Sequence, residues 1–188
     1  MAKFNPLLVA MIVMFAPQSI SHAANRCNDR ASLPWKAGNQ TLTLEAISNG
    51  PECGKAIVVL VVRNANGEPL WTFVSRAADV AIFAPDHTAN GKNMTGALKK
   101  WLAVGLNSNR KDMGTLPDWK QGADGPAEDP PSEFSFTVSA NLDHKTYVGW
   151  RKAKRPLFCF VQGMESENCI TVSPEGTIVD VGIQSFPG

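Results

Sequence analysis

The chain has 188 residues, of which 44% are hydrophobic and 19% are charged, and its formal net charge is +1. This composition is typical of a globular protein and is sufficient for one domain around one hydrophobic core. The nearly balanced charge argues against a general bias towards nucleic acid and gives no reason to expect binding to a membrane surface.

The N-terminal residues 1–23 have the pattern of a cleaved secretory signal peptide. Lys3 supplies a positive charge, residues 7–16 are all apolar, and small residues allow cleavage after Ala23 or Ala24. This apolar stretch is too short to span about 30 Å of hydrocarbon, so we expect no transmembrane anchor. The sequence therefore predicts an exported protein, periplasmic or secreted, with a single globular domain over residues 24–188.

The four cysteines predict two disulfides. Cys27, Cys53, Cys159 and Cys169 all follow the predicted cleavage site, and an even number of cysteines in an exported protein indicates disulfides. Their spacing fits neither a zinc site nor a thioredoxin-like motif. The sequence around Met164 predicts a hairpin whose two strands place Cys159 opposite Cys169, close enough to be bridged. We therefore predict the pairs Cys159–Cys169 and Cys27–Cys53.

The first part of the domain is predicted to be β-structure. Residues 25–40 show no clear period and are expected to be irregular, whereas residues 41–47 alternate between apolar and polar side chains like a half-buried strand. Residues 56–62 are apolar throughout, which is typical of a central strand covered on both faces. Residues 80–83 predict one further short strand.

A hairpin is predicted after the central strand. The dipeptide Asn66-Gly67 favours a two-residue type I′ turn, in which both central residues have positive φ. This turn places Val62 opposite Trp71 and, by the same register, Leu60 opposite Phe73, and both are favourable cross-strand pairs.

A helix is predicted over residues 93–106. Met94, Leu98, Trp101 and Leu102 recur at helical spacing. Gly105 stands where a left-handed residue commonly ends a helix. The following residues 107–133 have no sustained period and predict a long irregular loop, and such loops are usually functional or disordered.

The last part of the domain predicts a strand, a short second helix and three strands. Residues 134–140 alternate, residues 141–155 have a helical pattern with Asn141 or Asp143 as the N-cap, and the chain then continues as a meander. The predicted fold class is α+β. It has a mainly antiparallel sheet of about seven strands with two short helices, stapled by two disulfides.

The histidines are the candidates for catalysis or metal binding. His87 and His144 each follow an aspartate, so they could form a metal site or provide a general base with its orienting acid. The simpler interpretation is that His144 is an exposed residue in the first helical turn. No nucleophile or nucleotide-binding motif is present. We therefore expect no catalytic residues, no metal ligands and no cofactor, and keep an envelope hydrolase or metal-dependent enzyme using His87 and His144 as an alternative.

A basic segment is the main candidate for ligand binding. Five cations lie between residues 145 and 155, with aromatic residues among them. Together with Trp119 of the long loop, the predicted ligand-binding residues are Tyr147, Trp150, Arg151, Lys152, Lys154 and Arg155. We expect a non-catalytic binding role towards an unknown envelope component: an anionic glycan, a lipid head group or an acidic protein, but not nucleic acid. The alternatives are a solvated helix end and a purely structural envelope protein.

The long loop is rich in acidic residues, whereas the segment at residues 145–155 is basic. Its acidic residues are Asp118, Asp124, Glu128, Asp129 and Glu133. Only one short strand separates the two segments, so the loop can fold back along it. We hypothesise that the loop covers the basic helix weakly, because exposed ion pairs contribute only about 0–1 kcal/mol each.

Overall fold

The computed structural model describes residues 27–83, 93–127 and 135–186. These residues form an α+β fold with two antiparallel sheets, two α-helices and two disulfides. The predicted fold class is thereby confirmed. In these described ranges eight strands divide between two sheets of four, whereas the sequence patterns predicted about seven strands without this division. The predicted signal peptide lies outside the described residues.

Sheet 1 is a simple meander in which the strand order follows the sequence. Its strands are β1 (Arg30–Ala37), β2 (Gln40–Asn49), β3 (Ile57–Arg63) and β4 (Pro69–Arg76). The prediction of an irregular segment before residue 40 is wrong, because β1 turns Trp35 and Ala37 into the core. Pro34 interrupts the β-pattern in the sequence but is tolerated because β1 is an edge strand.

The β3–β4 hairpin has the predicted pairs but a different turn. Val62 lies opposite Trp71, and Leu60 lies opposite Phe73. Gly67 has a φ of +82°, whereas Asn66 is not among the residues with positive φ, so the turn is not type I′. The Gly67 N–H donates to the Asn64 carbonyl (3.0 Å) across a longer loop. An irregularity at Val62 and Arg63 then restores the predicted register.

Sheet 2 is built by the C-terminal part of the chain. Its strands are β5 (Phe136–Val138), β6 (Leu157–Val161), β7 (Ser166–Val172) and β8 (Ile178–Ser185), in the order β5-β8-β7-β6. Cys159 lies directly opposite Cys169 and is bonded to it, and Cys27 is bonded to Cys53. Both predicted pairings are confirmed.

The short strand predicted at residues 80–83 is wrong. Two single-turn 3-10 helices, Ala77–Asp79 and Ala81–Phe83, stand there instead. Phe83 is buried against the ring of Trp101, with 5.1 Å between the ring centroids. A four-residue apolar run is too short for its period to distinguish a strand from a helical turn, so packing decides its conformation.

Helix α1 (Met94–Leu106) packs against β1, β2 and β6 and carries the largest buried side chain of the main core. The Trp101 indole N–H donates to the Val161 carbonyl (2.7 Å), and its ring contacts Phe73 and Phe160. Gly105 lies inside the helix and does not have positive φ, so the expectation that it is the left-handed residue ending the helix is wrong. A Cβ at Gly105 would lie 2.5 Å from the Cys159 carbonyl oxygen, which explains the glycine by close packing.

Helix α2 (His144–Lys152) is capped as predicted by Asp143, whose carboxylate accepts the Thr146 N–H (2.7 Å). This hydrogen bond lowers the pKa of the Asp143 carboxyl. A second, smaller core forms where α2 faces the disulfide-bonded strands, with Tyr147 at its centre. Within the described ranges, no helix combines the length and the apolar character needed to cross a membrane.

Candidate functional site

An open cleft of about 640 Å³ lies where three chain segments from different parts of the sequence meet. One wall is residues 153–156, which follow α2. The other walls are the β1–β2 turn at residues 37–40 and the β7–β8 turn at residues 173–176, next to Val172. Lys154 and Arg155 are the lining cations, and Glu175 is the lining anion. The cleft therefore has an excess of one positive charge.

The end of α2 fixes the backbone of the cationic wall. The Lys154 N–H donates to the Arg151 carbonyl (3.0 Å), and the Arg155 N–H donates to the Trp150 carbonyl (3.2 Å). These two hydrogen bonds define a Schellman motif. In this motif the first residue after the helix cap adopts the left-handed conformation. Lys154 is that residue, with a φ of +48°, and no other non-glycine residue in the described part of the chain has positive φ. A lysine thus occupies a position at which glycine is usual.

Arg155 is held in place from two sides. Its Nε–H donates to the Val172 carbonyl (2.6 Å), and the guanidinium carbon lies 5.5 Å from the centroid of the Trp150 ring. The hydrogen bond and the cation–π contact both restrict the rotation of this long side chain. Because its side chain is already restrained, Arg155 should lose less conformational entropy on binding a ligand than an unrestrained arginine.

The two opposing walls are tight glycine turns. Gly38 has a φ of +69° and begins a two-residue hairpin loop, and Gly176 has a φ of +88°. The Gly176 N–H donates to the Ser173 carbonyl (3.0 Å), while the Ser173 hydroxyl accepts from the Glu175 N–H (3.2 Å). Hydrogen bonding with Ser173 is also the main reason why the pKa of the Glu175 carboxyl is lowered. Glu175 consequently stays ionised to a lower pH than a free glutamate.

The cleft contains cationic groups suited to binding an anion. The described lining residues include no histidine and no cysteine, and their cations can accept carboxylate, sulfate or phosphate oxygens. Across residues 27–83, 93–127 and 135–186, no group of three or more His, Cys, Asp or Glu side chains is placed to hold a metal ion.

We predict that Lys154→Gly stabilises the fold by about 0.5–1 kcal/mol, because glycine adopts the left-handed conformation without strain. The matched control is Lys152→Gly, two residues earlier and at the last position of α2. There glycine should destabilise the fold by about 0.5–1 kcal/mol. Urea unfolding midpoints of the two variants should therefore shift in opposite directions. Equal destabilisation by both substitutions would contradict the assignment of strain to Lys154.

The remaining predicted binding residues do not line this cleft. Tyr147 is fully buried, its hydroxyl donates to the Pro117 carbonyl (2.7 Å), and burial raises the pKa of its phenol. Trp119 is half-buried, and its ring packs on Tyr147 and His144. Lys152 is exposed at the end of α2. Tyr147 and Trp119 therefore attach the preceding loop to α2, and a binding role for them stays a prediction.

The described part of the acidic loop contacts the basic helix through one ion pair as well as through hydrogen bonds and ring contacts. Arg151 donates from Nε to the Leu116 carbonyl (2.9 Å), and its Nη1 lies 3.4 Å from a carboxylate oxygen of Asp118. Residues 128–134, with three of the acidic side chains, lie outside the described residues. Hydrogen bonds to backbone carbonyls and aromatic ring contacts therefore hold most of the described part of the loop against α2. Asp118 adds the one ion pair to α2 found among the described residues.

Of the two candidate histidines, only His144 lies in the described residues, and His87 lies outside them. His144 is half-buried in the first turn of α2, where its Nε2 lies 2.9 Å from the Trp119 carbonyl oxygen. Such a contact uses Nε2 as a donor. His144 therefore has a structural partner, and the alternative of an enzyme site shared with His87 stays untested.

The sequence indicated the cationic wall of the cleft but not the other two walls. Gly38 and Gly176 belong to turns of two different sheets, and their approach to Arg155 depends on how the sheets pack. The predicted helical pattern ran to residue 155, whereas α2 ends at Lys152, so the sequence did not show the left-handed conformation of Lys154. Comparison of the chain with protein-family models, curated proteins and solved structures finds no match.

Proposed function

We propose that this protein is an exported domain that binds an anionic ligand in the cleft beside Lys154 and Arg155, without a catalytic role. Export is supported by the signal-peptide pattern of residues 1–23 and by the two disulfides. The observation that carries the binding proposal is the placement of two adjacent cations in a concave site that three separate segments enclose.

The size of the cleft favours a small ligand or a terminal group. Small-molecule sites commonly have volumes of about 300–1,000 Å³, and this cleft lies within that range. An acidic protein would instead require a broad surface. Among the predicted ligand classes, the cleft therefore favours an anionic sugar unit or a phosphorylated head group. Arg155 offers the planar donor set that recognises such oxygens, and Lys154 adds a mobile positive charge.

We expect Lys154→Gln to weaken binding of a sulfated disaccharide by about tenfold, because a hydrogen bond to a charged group contributes roughly 1.5–3 kcal/mol. Isothermal titration calorimetry with the sulfated disaccharide, inorganic phosphate and the unsulfated disaccharide tests this. The unsulfated sugar shows whether recognition follows the charge. The matched control is Lys99→Gln, an exposed lysine of α1 that does not line the cleft.

Glu175→Gln should change the affinity in the opposite direction. It removes the lining anion, so the affinity for the sulfated disaccharide should rise, and this gain should shrink as salt is added. If Lys154→Gln and Lys99→Gln weaken binding of the sulfated disaccharide equally, the attraction is non-specific and the cleft is not a binding site. Absence of binding for both anionic probes would overturn the proposal.

A further inference from the structure

Sheet 1 has two edge strands, and among the described residues only β1 carries features that protect its edge. β1 carries Pro34 near its middle and the cations Arg30 and Lys36 along its outward face, which are features that discourage pairing with another strand. β4 is also eight residues long, but its proline and its one charged residue stand at its two ends, Pro69 and Arg76. In the described part of the chain, β3 is the strand that pairs with β4, and β4 pairs with no other.

The edges of sheet 2 do not offer the same opportunity. β5 has three residues, which is too short for extended pairing. The carbonyls of β6 face α1, since the Val161 carbonyl accepts the Trp101 N–H and the Cys159 carbonyl lies against Gly105. Short strands and helix cover are common ways of protecting a sheet edge. β4 is therefore the exception among the four edges.

The outward side of β4 is apolar and exposed. Val74 is 58% exposed and Leu70 is 38% exposed, with Thr72 between them, and Ile57 of the neighbouring strand is 48% exposed. Val74 continues a cross-strand row through Val59, so the apolar surface extends into the sheet. Exposed apolar side chains concentrated along an unprotected edge indicate an interaction surface.

We propose that β4 pairs antiparallel with β4 of a second copy of this chain, with Thr72 on the two-fold axis. This register places Leu70 opposite Val74 of the second copy and Thr72 opposite Thr72. It also brings Glu68, the exposed residue just before β4, level with Arg76 of the second copy. Apolar, Thr–Thr and opposite-charge cross-strand pairs are all favourable. The same strand thus supplies a complementary partner at each of these positions, and Arg76 also forms an ion pair with Asp79 of its own chain (2.7 Å).

The two-fold symmetry makes each off-axis contact occur twice. An isologous interface needs one self-complementary surface, and the two sheets would join into a continuous eight-stranded sheet.

The proposed anion-binding cleft lies beside the β1–β2 turn and not at β4, so this inference does not depend on the proposed function. The low net charge of +1 opposes self-association only weakly.

A charge exchange tests the register. Sedimentation equilibrium of the mature, oxidised protein should show a concentration-dependent dimer. Glu68→Arg and Arg76→Glu should each weaken dimerisation by about tenfold, because each introduces two like-charge contacts. The double variant should dimerise more tightly than either single variant, although Arg76→Glu also places a carboxylate beside Asp79 of its own chain. Far-UV circular dichroism establishes that each variant is folded, and Lys99→Glu on α1 serves as the charge-reversal control.

A cysteine at the symmetry axis provides a second measurement. Thr72→Cys should give a disulfide-linked dimer under mild oxidation, because opposed residues in antiparallel strands lie within bridging distance. Val104→Cys, at an exposed position of α1, should not. A protein that stays monomeric at all concentrations would overturn the proposal. So would a double charge variant that dimerises no more tightly than the single variants, or equal cross-linking of the two cysteine variants.

Discussion

Gly105→Ala is expected to destabilise the protein by about 2–3 kcal/mol, although alanine is the better helix former. The added Cβ would lie 2.5 Å from the Cys159 carbonyl oxygen and 2.5 Å from a ring carbon of Phe158. Real Cβ atoms do not approach backbone oxygen this closely, so α1 and β6 have to separate. This separation would loosen the buried contacts of the main core. Chemical unfolding monitored by tryptophan fluorescence measures the effect.

Gly96 provides the matched control in the same helix. A Cβ at this position would meet no atom within 4 Å. Gly96→Ala should therefore stabilise the protein by about 0.5–1 kcal/mol through helix propensity alone. Opposite signs for the two substitutions are the expected result. If Gly105→Ala also stabilises the protein, the close contact between α1 and β6 is not as the structure shows it.

Removal of either disulfide is the other change with a large expected effect. The two closures have sequence separations of 26 and 10 residues. On the loop-entropy model, replacing Cys27 and Cys53 together by alanine should destabilise the fold by about 3.5 kcal/mol, and replacing Cys159 and Cys169 by about 2.7 kcal/mol. The second pair is fully buried, so the lost sulfur volume adds to its effect. Urea unfolding of both double variants measures the losses.

Reduction of the unaltered protein is the control for these variants. Its destabilisation under reducing conditions should approach the combined losses of the two double variants, because the disulfides close separate loops. Urea midpoints that barely move after both pairs are removed would contradict a stabilising role. A loss for the shorter loop that clearly exceeds the loss for the longer loop would show that packing, and not loop closure, dominates.

Local patterns in the sequence were sufficient for much of the fold. The spacing of Leu98 and Trp101 predicted α1, and the turn after β3 predicted the facing pair of Val62 and Trp71. β1 was missed because Pro34 breaks its pattern, although an edge strand tolerates it. The division into two sheets could not be predicted either. Alternation of side chains shows that a strand has an inner face but does not show which sheet it joins.

Contacts between distant segments account for what the sequence could not predict. Phe73 meets Phe160 with 5.1 Å between the ring centroids, a pairing that no local period indicates. The same reason applies to the cleft, where Lys154 and Arg155 were predicted as binding residues but the approach of the two glycine turns to them was not. Tyr147 also illustrates the limit, since its spacing placed it beside the cations while the structure turns it inward.

The order of the disulfides along the chain has a consequence for biogenesis. Each bond joins cysteines that are consecutive in the sequence, first with second and third with fourth. A chain that emerges N-terminus first exposes Cys53 as the first available partner of Cys27, and that pair can close before Cys159 emerges. An oxidase that joins thiols in their order of appearance therefore produces the native pattern. Maturation of this protein should accordingly proceed without a disulfide isomerase.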